Sequence, residues 1–312
     1  MHRPQSPSAA PHPQIHGRRT LARRAFAARV ANAISGGYHI RIPWDPPPAN
    51  AQPRYGYGSP PHRRLAELLS REDSSYRDVL RGFAKYADDL GAIPLEQTDP
   101  LEPHWRSDYL FGFDGASLYA FIRARAPRRY IEVGSGNSTL FVDRARRDGA
   151  IDMKIISLDP YPRREIDAIC DTIVRKPLEQ ADLQIFSELS EGDVVFMDGT
   201  HRVFMNSDVT AFFLDVLPEL PPGVLVGIHD IHLPDDYRPE HNDRYFSEQY
   251  MLAAYLLAEP SWMRPVLPSW YVSHHPELKG LAHSLIPAAF AKEDPHGVIF
   301  WLLTEPRERR GG

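Results

Sequence analysis

The stretch Arg129-Tyr130-Ile131-Glu132-Val133-Gly134-Ser135-Gly136-Asn137-Ser138-Thr139-Leu140 decides how the chain is read. Tyr130 to Val133 is a short apolar run with one acid in it, and it predicts a strand. Gly134-Ser135-Gly136 predicts a sharp turn that a ligand can approach closely. Asn137-Ser138-Thr139 offers capping side chains for a helix starting near Leu140. Strand, glycine turn and helix together aim backbone N–H groups at a ligand lying across the strand ends. A dinucleotide turn would carry a third glycine three residues after the second, and Thr139 stands there instead. Glu132 would also repel a pyrophosphate, so a ligand with a cationic or hydroxyl-bearing group fits better. The plainer alternative is a glycine turn that only ends a strand.

Further acids and histidines recur where later strands should end. A strand at 154–158 leads into Asp159. A strand at 193–197 leads into Asp198-Gly199-Thr200-His201, and one at 223–228 into His229-Asp230-Ile231-His232. Helices are expected at 138–147, 162–170, 179–187, 206–217 and 245–258, with a short strand at 171–175 and late strands near 265–274 and 297–304. Cys170 falls in an apolar helical spacing and reads as core. Ahead of the central strand, helical spacing runs from Arg63 to about Leu90, and a further helix over 116–126 stops before Pro127. The alternation implies an α/β fold, a doubly wound, mostly parallel sheet of seven strands with an N-terminal helical cover. Glu132, Asp159, Asp198, His229 and Asp230 would then all lie at the carboxyl edge, where ligands bind in open α/β sheets.

Composition sets the bounds. The 312 residues are 42% hydrophobic and carry a net charge of −5, so no global basic field invites nucleic acid. One cysteine excludes an intrachain disulfide and suits a reducing, cytoplasmic setting. No apolar run reaches the roughly 18 residues of a membrane span. Residues 1–42 read as a disordered arm with a basic amphipathic stretch over 18–34. Residues 43–126 read as a proline-rich wrap and helical cap, 127–306 as the ligand-binding domain and 307–312 as a tail.

The E-x-G-x-G pattern at Glu132, Gly134 and Gly136 resembles the first motif of class I S-adenosylmethionine-dependent methyltransferases, with Ser138 at the usual third glycine. The wording IEVGSG, MDGTH, IHDI and Glu248-Gln249-Tyr250 is similar to a bacterial branch acting on sugars or small metabolites. The resemblance implies strand order 3-2-1-4-5-7-6 with the seventh strand antiparallel. It also implies S-adenosylmethionine as cofactor. Gly134, Ser135 and Gly136, with Asn137 and Ser138 beside them, would line its methionine part. Glu132 and Asp198 would sit nearby, and Asp159 would hold the ribose.

Methyl transfer needs an aligned nucleophile and a place for its proton. His201 and His229 are the candidate bases, with Asp230 beside them. His232, His241, His274 and His275 read as pocket-shaping or structural. A divalent cation on Asp198 and Asp230 is the second route. It ranks behind the histidine base because His229-Asp230 replaces the Asp-Asn or Asp-Asp pair of metal-dependent O-methyltransferases. The acceptor would be a small molecule or sugar, attacked at oxygen. Two other functions use the same residues: a metal-dependent hydrolase on Asp198, His201, His229 and Asp230, and a non-catalytic cofactor-binding scaffold whose arm recruits a partner.

Overall fold

The computed structural model describes residues 52–293 and 295–307. The basic stretch over 18–34, the wrap as far as 51 and the tail from 308 lie outside the described residues.

Side chains alternate across a strand, so neighbouring residues serve opposite faces of the sheet. The strands here obey that rule on two buried faces at once. Tyr130, Ile155, Val194, Phe196 and Leu225 enter one core with Trp301. Their neighbours Ile131, Ile156, Val195, Met197 and Val226 enter the other with Leu302. That is why β1 (Arg129–Val133), β2 (Lys154–Leu158), β4 (Val194–Met197) and β5 (Leu225–Ile228) read as near-continuous apolar runs. With β3 (Thr172–Val174), β6 (Met263–Pro268) and β7 (Phe300–Thr304) they form one sheet of order β3-β2-β1-β4-β5-β7-β6. Only β7 runs antiparallel to its neighbours. The expected fold and strand order are therefore both found.

Helices α1 (Arg63–Ser70), α2 (Asp73–Phe83) and α3 (Ala87–Gly91) precede α4 (Gly112–Arg125). Helix α4 is buried from Gly112 through Ile122, between the sheet and the preceding helices. It starts four residues earlier than its apolar spacing suggested, which places Asp114 inside it. Helix α5 (Asn137–Asp148) follows β1, and α6 (Asp208–Ala211) continues as one π-helical turn to Val216. Helix α7 (Glu248–Leu257) follows β5, and α8 (Ser269–His274) and α9 (Lys279–His283) lie between β6 and β7. Among the described residues no helix is long and apolar enough to cross a membrane.

Four local expectations fail for stated reasons. The helix expected over 162–170 is a single 3-10 turn at Asp167–Ile169, because only Ile166 of its apolar set is buried and no helix face forms. Cys170 is accordingly half-buried rather than core. The helix expected over 179–187 is two 3-10 turns, Leu178–Gln180 and Leu183–Glu188. The late strand stops at Pro268, which has no N–H to extend a ladder, and α8 begins behind it with His274 at its end. Finally, α5 starts three residues before Leu140. Gly136 is its cap, with the Gly136 N–H donating to Thr139 Oγ1.

The described part of the wrap lies along the 234–236 loop. Arg54 and Tyr55 donate backbone N–H to the Asp236 carboxylate, and His62 donates to the Pro234 carbonyl.

Candidate active site

The glycine turn joins three strand ends. Gly134 has φ +80°, and a Cβ there would lie 1.9 Å from the Asp198 backbone oxygen. Only glycine lets the end of β1 come this close to the end of β4. The Asp198 N–H donates to the Val133 carbonyl at 2.8 Å, and the Gly134 N–H to Leu158 at 3.1 Å. Gly136 has no such crowding, its nearest neighbour being Arg163 Cβ at 3.8 Å.

Glu132 does not face a ligand crevice. It is fully buried, and its two carboxylate oxygens accept hydroxyls from Tyr130, Ser138 and Thr139. Burial pushes its carboxyl up to about 7 against the pull of those three donors. Its role is to tie β1 to the first turn of α5, and Ser138 is used up in the same tie. The expectation places both residues beside a cofactor; in the structure their side chains bond each other. A carboxylate at the end of an apolar strand satisfies itself locally when hydroxyls stand six and seven residues on.

The rim of the turn remains open to a ligand. Asp159 is half-buried, accepting the Ser135 N–H at 2.8 Å and the Tyr161 N–H at 2.7 Å, which leaves lone pairs free. Ser135 Oγ meets Ser157 Oγ at 2.8 Å. Asn137 donates its side-chain amide to the Asp108 carbonyl, while its buried Oδ1 has no partner. Such an orphan acceptor beside a glycine turn fits an amine or hydroxyl of a bound molecule.

Beside this turn, the ends of β4 and β5 bring together two imidazoles and two carboxylates, to which α4 adds Asp114 and α7 adds Glu248. His201 Nε2 lies 3.2 Å from Asp198 Oδ1 and 3.3 Å from Asp230 Oδ2, and its Nδ1 lies 2.9 Å from Glu248 Oε2. His229 Nδ1 lies 3.3 Å from the same Asp198 oxygen, and its Nε2 lies 3.5 Å from Asp114 Oδ2. Both histidines are buried, at 4% and 3% exposure. His201 and Asp230 have φ near +59° and +55°, left-handed conformations that non-glycine residues hold only where surroundings enforce them. The 201 loop is pinned by its carbonyl, which accepts N–H groups of Ser247 and Glu248 at the start of α7.

The electrostatics follow from the crowding. Burial alone would lower the His201 imidazole, but Asp230, Asp198 and Glu248 hold it up at about 10. His229 is likewise raised well above its ordinary value by Asp198, Asp230 and Asp114 against burial. Asp198 is held well below the usual carboxylate range by the two imidazoles, although burial opposes this. Burial raises Asp114 and Glu248. The carboxylate Asp198 and the imidazoles of His201 and His229 also bring one ligand atom each to within 4.8 Å of one another.

Residues 131–231 match the family model described as a methyltransferase domain. The match spans β1 through the turn after β5, and the sheet order is the one that this class implies. Residues 131–231 are thus similar to a methyltransferase domain. No curated protein matches the chain. Solved structures of similar fold include the O-methyltransferase from Bacillus cereus in complex with SAH, at 15% identity, 78% of this chain, 96% of that one and a TM-score of 0.37. The O-methyltransferase TomG from Streptomyces achromogenes, in complex with SAM, gives 14%, 78%, 99% and 0.38. The SAH-bound Podospora anserina methyltransferase PaMTH1 gives 15%, 81%, 100% and 0.39.

Two cluster members, both outside the matched residues 131–231, escaped the sequence reading. Asp114, in α4, is anchored by the Val298 and Ile299 N–H groups at 2.8 and 2.9 Å. Glu248 opens α7. The signal for Asp114 was an acid inside the apolar run GFDGASLYAFI, which only a buried partner can justify. His232 is fully buried against Tyr237, His241 and Trp270, and burial holds it well below its ordinary value. It and His241 shape the wall beside Asp230.

Proposed function

We propose that the domain transfers a methyl group from S-adenosylmethionine to a hydroxyl oxygen of a small molecule or sugar. Asp159 takes the ribose diol, and Ser135, Gly136 and the orphan Asn137 Oδ1 take the methionine end. The acceptor hydroxyl enters at Asp198, His201, His229 and Asp230. The carrying observation is that two buried imidazoles converge on one Asp198 oxygen directly beside the glycine turn.

In the transfer, the acceptor oxygen attacks the methyl carbon, the S–C bond breaks toward sulfur, and the acceptor proton must leave. His201 accepts that proton only when it is itself neutral, which the three carboxylates around it delay to about pH 10. As imidazolium, His201 and His229 instead favour the ionised acceptor hydroxyl, whose proton passes to solvent before the oxygen attacks the methyl carbon. A divalent cation held by Asp198, His201 and His229 would lower the acceptor hydroxyl's pKa at neutral pH. The residues fit such an ion: both His229 ring nitrogens are buried without a hydrogen bond although carboxylates stand within 3.5 Å. The single cysteine supports a cytoplasmic setting, and the net charge of −5 supports a small-molecule acceptor.

Isothermal calorimetry with S-adenosylhomocysteine is the first test, followed by transfer of labelled methyl to a panel of phenols, catechols and sugars. Absence of homocysteine-adduct binding by folded protein removes the proposal. Hydrolytic turnover without S-adenosylmethionine would point to the hydrolase reading of the same cluster.

A further inference from the structure

We infer that the acceptor carries an anionic oxygen group, a carboxylate or a phosphate, and that Arg238 holds it while the hydroxyl lies at the Asp198 cluster. The inference rests on the methyl-transfer reading and names the substrate class of that site.

The loop after β5 fixes the place of Arg238. It leaves the sheet at His229 and Asp230 and is strapped to the start of α7. The His232 N–H donates to Gln249 Oε1 at 2.9 Å, and the Gln249 N–H donates to the Tyr237 hydroxyl at 3.0 Å. Arg238 follows directly and is half-buried. Its guanidinium carbon lies 5.3 Å from the centre of the Phe111 ring and 5.4 Å from that of Trp270. Phe111 caps α4, the helix that carries Asp114, and Trp270 packs on His232 at 4.7 Å between ring centres. The His241 imidazole feels the charges of Asp230, His201, Arg238 and Arg244 together. One layer of rings therefore separates Arg238 from the cluster.

The charge of Arg238 has no counter-ion. An arginine offers five N–H donors and no acceptor. Among the described residues its side chain makes one hydrogen bond, to His296 Nε2, and no ion pair. Because a guanidinium can only donate, His296 Nε2 accepts and brings no negative charge. The acids just before Arg238 are engaged elsewhere. Asp235 accepts the Trp270 indole N–H at 3.0 Å, and Asp236 accepts the Tyr55 N–H and the Tyr250 hydroxyl, each at 3.1 Å. The acids of the cluster are balanced by His201 and His229. By contrast, Arg106, Arg146 and Arg147 each meet two carboxylates. Arg244, over the Phe246 ring that packs on His201, adds a second cation without an acid partner among the described residues.

Aromatic rings help hold a cation in place but do not neutralise it. A half-buried guanidinium between such rings has lost water without gaining an anion. Its planar fork matches two oxygens of a carboxylate or phosphate at once. The rigid loop presents that fork already in position, so a bound anion need not order it.

The test is calorimetry on full-length protein, with and without S-adenosylhomocysteine. It uses three matched pairs: protocatechuate and its amide, glucuronate and its amide, and glucose phosphate and glucose. The expected result is an acid that binds about 10–100-fold more tightly than its neutral partner in at least one pair. Which pair responds distinguishes carboxylate from phosphate. Arg238→Gln and Arg238→Met, two uncharged side chains of similar length, should erase the preference. Their S-adenosylhomocysteine affinity and circular dichroism should stay as in wild type, which a merely structural arginine would not predict. The inference is overturned if no acid binds more tightly than its neutral partner. It is overturned equally if the preference survives in either folded variant, which would put the anion on His201 and His229 instead. S-adenosylhomocysteine binding without acid preference sinks this inference alone. Acid preference in a protein that never binds S-adenosylhomocysteine sinks methyl transfer alone.

Discussion

Replacing Gly134 by alanine tests the claim that this glycine exists to bring two strand ends together. An L-residue held left-handed costs roughly 1–2 kcal/mol. The added Cβ would also lie 1.9 Å from the Asp198 carbonyl oxygen, with the carbonyl carbon at 2.8 Å. Both are backbone atoms and cannot swing aside like a flexible side chain. Relief requires the Asp198 peptide to retreat by about 1.5 Å to reach ordinary contact, which breaks its 2.8 Å bond to Val133. Overpacking of this kind costs about 1–3 kcal/mol, so the total loss should be about 2–5 kcal/mol. Against a typical stability of 5–15 kcal/mol the variant should still fold. Its Asp198 carboxylate should nevertheless be displaced from His201 and His229. Urea denaturation measures the first effect, and Co2+ titration measures the second. Gly136→Ala is the control, because its Cβ would meet nothing nearer than 3.8 Å. A stability loss within about 0.5 kcal/mol is expected there. If Gly134→Ala is as stable as wild type, or Gly136→Ala is equally damaged, the close-approach account is wrong.

Three further outcomes follow from the site. Glu132 has a folded value raised to about 7 from an ordinary 4.5, so the native state holds its proton more tightly than the unfolded chain. Stability from this group is full below pH 4.5 and falls, by roughly 3 kcal/mol, as pH rises through about 7. Glu132→Gln should therefore gain on wild type with rising pH, and a stability difference that stays flat between those values in urea titrations contradicts the assignment. Asp114→Ala strips the acceptor from two buried backbone N–H groups and should cost about 2–5 kcal/mol in thermal or urea unfolding. Asp159→Asn should weaken S-adenosylhomocysteine binding about tenfold or more by calorimetry, through loss of charge-assisted bonds to a diol, with little change in stability.

The sequence by itself determined the sheet. Its alternating apolar residues serve two cores at once, and only a doubly wound parallel sheet offers both faces for burial. It also determined which strand ends carry polar groups, since acids and histidines that close apolar runs have to emerge at the carboxyl edge. Local periodicity could not say which apolar residues would find a partner. Ile166, Ile169, Cys170 and Ile173 have helical spacing, but only Ile166 is buried, so no helix formed. Nor could spacing tell a ligand-facing acid from a satisfied one. Glu132 and Asp159 look alike in the sequence, yet three hydroxyls from its own strand and α5 enclose the first and backbone N–H groups leave the second partly free. The pairing of Asp114 with His229 and of Glu248 with His201 spans 115 and 47 positions. Such contacts belong to the packing of α4 and α7 against the strand tips, which no window of sequence contains.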